Sequence, residues 1–156
     1  MKALNPVYLS GAEVLPLIEG GKGVSITTGP CSGAWAAQGG IGTFSGVNAD
    51  YYDENGKLVP QVYKAKTRRA RQDELVAFGV KGGIAQAKIA HDLRGSRGRL
   101  HMNILWEMGG AERVLTGILE GARGLVHGVT CGAGMPYRLA EITSKYGVYY
   151  YPIISS

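Results

Sequence analysis

Leu125-Val126-His127-Gly128-Val129-Thr130-Cys131-Gly132-Ala133-Gly134-Met135-Pro136 decides how this chain is read. A short apolar, β-rich run passes directly into glycines and then into a proline, which is tolerated in the first turn of a helix because its missing amide has no partner there. The pattern predicts a strand over 125–130 and a helix over Tyr137–Tyr146. Gly147 caps that helix, and Val148–Ile154 reads as a further strand. A strand, a helix and a strand joined by short turns predict a parallel pair with the helix packed across it.

The same alternation extends toward the amino terminus. Val114, Leu115, Ile118 and Leu119 recur at the helical period within Glu112–Gly121, so they form a buried face. Leu100–Trp106 and Ile41–Val47 have strand length and character, and Ser32–Gln38 is a small-residue helix ended by Gly39-Gly40. Gly23–Thr28 reads as the first strand, stopped where Pro30 removes a ladder donor. A polar loop from Asn48 to Gly56 carries Tyr51 and Tyr52. Gln61–Leu93 is mainly helical, with an interruption expected at Gly82-Gly83. The fold class is therefore α/β, a mainly parallel sheet covered by helices. Two architectures fit: the amino-terminal portion, about five βα units, of a TIM (β/α)8 barrel, or an open doubly wound parallel sheet. A whole barrel needs at least ~200 residues. Length favours the open sheet, whereas a final strand with no helix after it favours a cut barrel.

The 156 residues, 45% hydrophobic and 19% charged, suffice for one domain with a core and exclude a disordered chain. No apolar run reaches the roughly 18 residues that cross a bilayer, and the features of a signal peptide are missing from the first residues. A cytoplasmic location with no membrane partner is the expectation. Cys31 and Cys131 match neither a CxxC pair nor a zinc pattern, so no metal site is expected. Glycine is abundant, 25 of 156 against a usual ~7%, with no collagen period, so particular turns and contacts must require it.

Charge is uneven. Of the net +5, residues 57–99 carry eleven basic against three acidic side chains, and Lys64–Arg71 is the densest part. Such a cluster can grip phosphates. No helix-turn-helix, zinc-finger, RRM or KH signature accompanies it, so a solvated helical face is expected and no nucleic-acid partner. A non-catalytic polyanion-binding α/β module is the alternative from outside enzymology.

Gly39-Gly40-Ile41-Gly42 follows a helix and opens a strand, the reverse of a dinucleotide-binding turn, and no GxxxxGK[ST] motif occurs. Cys131–Pro136 differs, because it lies where a strand runs into a helix, at the carboxyl end of the sheet where α/β proteins bind ligands. Thr27-Thr28-Gly29, Asn103 and Ser155-Ser156 fall at or near other strand ends, so short polar and glycine groups gather on one predicted rim. Of the histidines, His91 reads as a surface residue and His101 and His127 as core residues, and none is assigned a catalytic role. Cys131 reads as a small core hydrophobe.

Gly33–Gly46, Met102-Asn103-Ile104, Val129–Pro136 and Tyr149–Ser155 together resemble the FMN-dependent nitronate monooxygenases, formerly 2-nitropropane dioxygenases, with the FMN-dependent enoyl-acyl-carrier-protein reductases as relatives. Order and spacing agree over roughly residues 23–156. The resemblance implies a single domain over 1–156 that is an incomplete FMN-binding barrel, with a basic helical insertion at about 57–99. It implies that Thr27, Thr28 and Gly29 approach the flavin ring and that Asn103 contacts FMN. Gly132, Ala133, Gly134 and Ser155 would line the cofactor side of later strands. The implied activity is oxidative denitrification of alkyl nitronates with O2. Enoyl-thioester reduction is the alternative. The family's later strands, with its Gly-Gly-His segment and phosphate loops, have no counterpart here. FMN binding by this chain alone is expected to be weak or nil unless a homo-oligomer or a further carboxyl-terminal segment completes the barrel.

Overall fold

The computed structural model describes residues 4–154. Its centre is a four-stranded parallel sheet of β3 (Ile41–Ser45), β4 (Arg99–Leu105), β5 (Gly128–Gly132) and β6 (Tyr149–Pro152), neighbours in that order. Helix α1 (Gly29–Ala37) precedes β3. Helices α2 (Arg68–Arg94), α3 (Ala111–Gly121) and α4 (Leu139–Ser144) make the three crossovers. The strands follow chain order without the reversal that defines a doubly wound sheet, and among the described residues they do not close into a barrel. A hairpin of β1 (Val7–Leu9) and β2 (Ala12–Val14) forms a second, two-stranded sheet whose turn is bonded to β4 and β6 through Ser10. Its turn residues Ser10 and Gly11 both have positive φ, as a two-residue hairpin turn requires.

Strand alternation sorts the side chains. Phe44, Met102, Ile104, Val129 and Cys131 point one way and form the main core with Val114, Leu115, Ile118 and Leu119 of α3 and Leu139 and Ile142 of α4. Each fully buried Leu or Ile among them contributes roughly 2 kcal/mol through apolar area removed from water. Ala36 of α1 and Ala90 of α2 pack with Leu100 on this same face. The alternate positions, Thr43, Ser45, His101, Asn103, Thr130 and Tyr151, share the opposite face with Gly128 and Gly132.

Glycine lets the layers approach. A Cβ at Gly42 would collide with the Ser32 carbonyl, one at Gly82 with the Ala49 carbonyl, and one at Gly83 with the Ile118 side chain. Gly82 and Gly83 therefore do not interrupt α2 as the sequence suggests. Their missing side chains admit neighbours, and the helix runs unbroken for 27 residues. Its amino end is capped by Thr67, whose hydroxyl accepts from the Ala70 amide at 3.2 Å.

The expected first strand over 23–28 is a turn instead. The Thr27 hydroxyl accepts from the Lys22 amide and the Thr27 amide donates to the Lys22 carbonyl, so local bonds replace a ladder. The strand-like contact lies earlier in the chain. Ile18 bridges Ile41 in parallel, the Glu19 amide donates to the Ile41 carbonyl, and the Ile41 amide donates to the Leu17 carbonyl.

Gln86 ties three elements together from a buried position in α2. Its Oε1 accepts from the Gly29 amide at 2.5 Å and its Nε2 donates to the Asp50 carbonyl at 2.7 Å. Gln86→Met keeps the volume and orphans both backbone groups, so it is expected to lower stability by about 2–3 kcal/mol. A urea midpoint equal to that of the unmodified protein would show that neither bond matters.

Candidate functional site

In a parallel sheet the carboxyl ends of all strands lie on one rim, here marked by Ser45, Leu105 and Gly132. Backbone bonds stitch the loops above it. The Gly46 amide donates to the Asn103 carbonyl, the Trp106 amide to Gly132 and the Glu107 amide to Ala133, all at 2.8–3.0 Å. Ala133 and Gly134 take left-handed conformations, with φ of 54° and 111°, which turn the chain across the rim before α4. Between this turn and the end of β6 lies a cleft of about 640 Å3, lined mainly by apolar groups including Met135, Tyr137, Pro152 and Ile153.

Of the residues expected at a site, Ala133 and Gly134 line this cleft and the other described ones do not. Asn103 is buried on the polar face, its Oδ1 accepting from the Thr130 hydroxyl at 3.3 Å. Gly132 is buried beside Ile153, and Ala133 and Gly134 are exposed at the cleft. Thr27 reaches the end of β3 through its carbonyl, which accepts from the Ser45 amide at 2.8 Å. Thr28 stands at the amino cap of α1 with no capping bond from its side chain. Gly29 faces the helix layer instead: its amide is held by Gln86, and a Cβ there would strike the Gln86 backbone. Ser155 lies outside the described residues.

The structure adds residues that sequence reasoning left out. Gly21 lies so close over the polar face that a Cβ would collide with the Asn103 side chain and crowd Thr43. Glu19 is buried beside it, its Oε2 accepting from the Thr43 amide at 2.8 Å. The Gly20-Gly21 pair was the available signal, but its residues lay ahead of the strand expected at 23–28. The Thr43 hydroxyl is fully buried without a hydrogen-bond partner on this face.

The titratable groups separate the two ends of the sheet. His101 lies near the amino end of β4, its Nε2 2.7 Å from the Ser10 hydroxyl and its ring stacked on Tyr151 with centroids 4.8 Å apart. Burial pulls its pKa down to about 4. His127 precedes β5 and accepts from the Leu100 amide at Nδ1. Burial, with Arg94 and Arg99 nearby, also lowers it to about 4. Both rings are neutral at pH 7 and neither lies on the carboxyl rim. Burial raises the Cys131 thiol to about 11, so no thiolate forms at neutral pH and the residue serves as core. A hydrogen bond with Glu19 is the main cause that raises the Cys31 thiol. Among the described residues no group of three or more His, Cys, Asp or Glu side chains is placed to hold a metal ion. None of their helices is long and apolar enough to cross a membrane.

A scan of the chain against protein-family models finds no match, and a search of the curated proteins finds none.

Proposed function

We propose that this chain provides the flavin-ring side of an FMN-dependent oxidoreductase of the nitronate monooxygenase type, built as the amino-terminal part of a (β/α)8 barrel. Strands in chain order with helices on one face are the arrangement such a barrel repeats. The observation that carries the reading is the surface at the rim. The Ala133-Gly134 turn is exposed next to an apolar cleft, and the Thr130 hydroxyl donates to the Asn103 carboxamide near the same strand ends. A flat heteroaromatic ring needs such a floor, with a few fixed polar groups to orient it.

In this reading Asn103 and the backbone of Gly132–Gly134 hold the ring edge. FMN, when bound, supplies the electron acceptor that a nitronate carbanion reduces and O2 restores. Met135, Tyr137 and Ile153 receive the alkyl part of the nitronate and exclude water from it.

Titration of FMN with the purified protein, followed by quenching of flavin fluorescence, tests this. Weak but saturable binding is expected. Asn103→Ala, which removes a ring contact, and Ala133→Leu, which adds bulk at an exposed rim position, are each expected to weaken it about tenfold, or 1.4 kcal/mol. Quenching that never saturates, or that ignores both substitutions, would overturn the assignment.

A further inference from the structure

Beside the rim, the basic segment forms a shaped surface. Helix α2 is about 40 Å long at 1.5 Å per residue, whereas the seven residues of β4 span only about 23 Å. Its carboxyl end leads through a short turn into the amino end of β4, so its amino-terminal turns rise to the carboxyl rim and beyond. The Gln72 Nε2 fixes that height by donating to the Gly109 carbonyl at 2.8 Å, in the loop after β4. That loop also reaches the proposed flavin site, since the Glu107 amide donates to Ala133.

Two grooves of about 470 and 500 Å3 meet at Arg68 and Gln72. One is lined by Tyr63, Lys66 and Arg71, the other by Arg69 and Arg113. The nearby carboxylates are already engaged. Asp73 pairs with Arg113 at 2.7 Å, and Glu74 accepts from the Lys64 and Ala65 amides at 3.0–3.3 Å. Lys64, Lys66, Arg68 and Arg69 are exposed and form no ion pair among the described residues. An exposed tyrosine stands within this cationic ring.

We propose that this groove binds an organic polyphosphate carrying an aromatic ring, with the phosphates on Lys66, Arg68 and Arg71 and the ring on Tyr63. Arg68 is unpaired among the described residues, and Arg71, whose Nε donates to the Ala65 carbonyl at 2.9 Å, keeps its terminal nitrogens for phosphate oxygens, while a ring stacked on tyrosine adds attraction that needs no particular base. The cations are confined to about one helical turn and the loop before it, which matches one nucleotide-sized ligand better than a long strand. That such a ligand would extend toward the rim as substrate rests on the flavin reading; the binding itself does not.

Calorimetric titration at physiological salt and without flavin separates the two. Adenosine triphosphate is expected to bind one to one, and Arg68→Glu and Lys66→Glu each to weaken it at least tenfold. Tyr63→Ala is expected to weaken the nucleotide about fivefold or more and to leave inorganic tripolyphosphate unchanged. Lys88→Glu, an equal change in net charge farther along α2, is expected to alter neither. No saturable binding, or equal losses from Lys88→Glu and Arg68→Glu, would overturn the proposal. So would a twelve-residue oligothymidylate that binds a hundredfold more tightly than the nucleotide, which would mark a nucleic-acid surface instead.

Discussion

Alanine at position 42 is expected to leave this chain without a stable fold. Gly42 is buried in β3, and a Cβ there would overlap the Ser32 carbonyl of α1. The obstacle is backbone in both directions, so no change of rotamer relieves it and the helix must move off the sheet. Overpacking costs typically 1–3 kcal/mol where side chains can adjust, so about 3 kcal/mol or more is expected here, against roughly 5–15 kcal/mol for a whole domain. Gly82→Ala meets the Ala49 carbonyl in the same way and should behave alike. Gly20 has nothing within 4 Å of its would-be Cβ, so Gly20→Ala serves as control and should shift the urea midpoint little. Similar midpoints for all three variants would contradict the close packing of α1, α2 and β3.

Acid should destabilise the protein well before its carboxylates are protonated. His101 and His127 have folded-state pKa values near 4 against 6.5 when unfolded. Both states leave them neutral above pH 6.5, where their contribution is complete. As the pH falls below 6.5 the unfolded chain takes up protons that the folded chain refuses, so stability declines down to about pH 4. One unit is worth 1.36 kcal/mol, so between pH 6.5 and 5 the loss from His101 is about 2 kcal/mol, and the half-buried His127 loses less. Urea midpoints at pH 7.5 and 5.0 measure this, and His101→Gln should remove the larger part of the difference. A midpoint independent of pH over that range would mean that neither ring is kept neutral by burial.

The parts of this fold legible in the sequence are those where periodicity and burial agree. Val114, Leu115, Ile118 and Leu119 announced α3, and the run into Cys131-Gly132-Ala133-Gly134 announced both β5 and the turn at the rim. Gly23–Thr28 misled because Val24, Ile26 and the threonines favour strands, while Thr27 bonds locally to the Lys22 backbone and the Ser25 hydroxyl accepts from the Asp50 amide, 25 residues away. Gly82-Gly83 looked like a break because the cost of glycine in a helix is local, whereas its benefit, contact with Ala49 and Ile118, lies elsewhere in the chain. Of the candidate site, what the sequence made legible is the place of Asn103 and Gly132–Gly134 at or near strand ends. No local pattern reveals that the Gln86 side chain, 57 residues away, takes the Gly29 amide.

This chain is proposed to hold the ring of a flavin and not its phosphate. Lumiflavin, which has the ring without ribityl or phosphate, tests it most directly when titrated against the unmodified protein and Ala133→Leu. Saturable binding within about threefold of FMN, or roughly 0.7 kcal/mol, weakened by the substitution, is expected. Saturable binding of FMN with none of lumiflavin would contradict it.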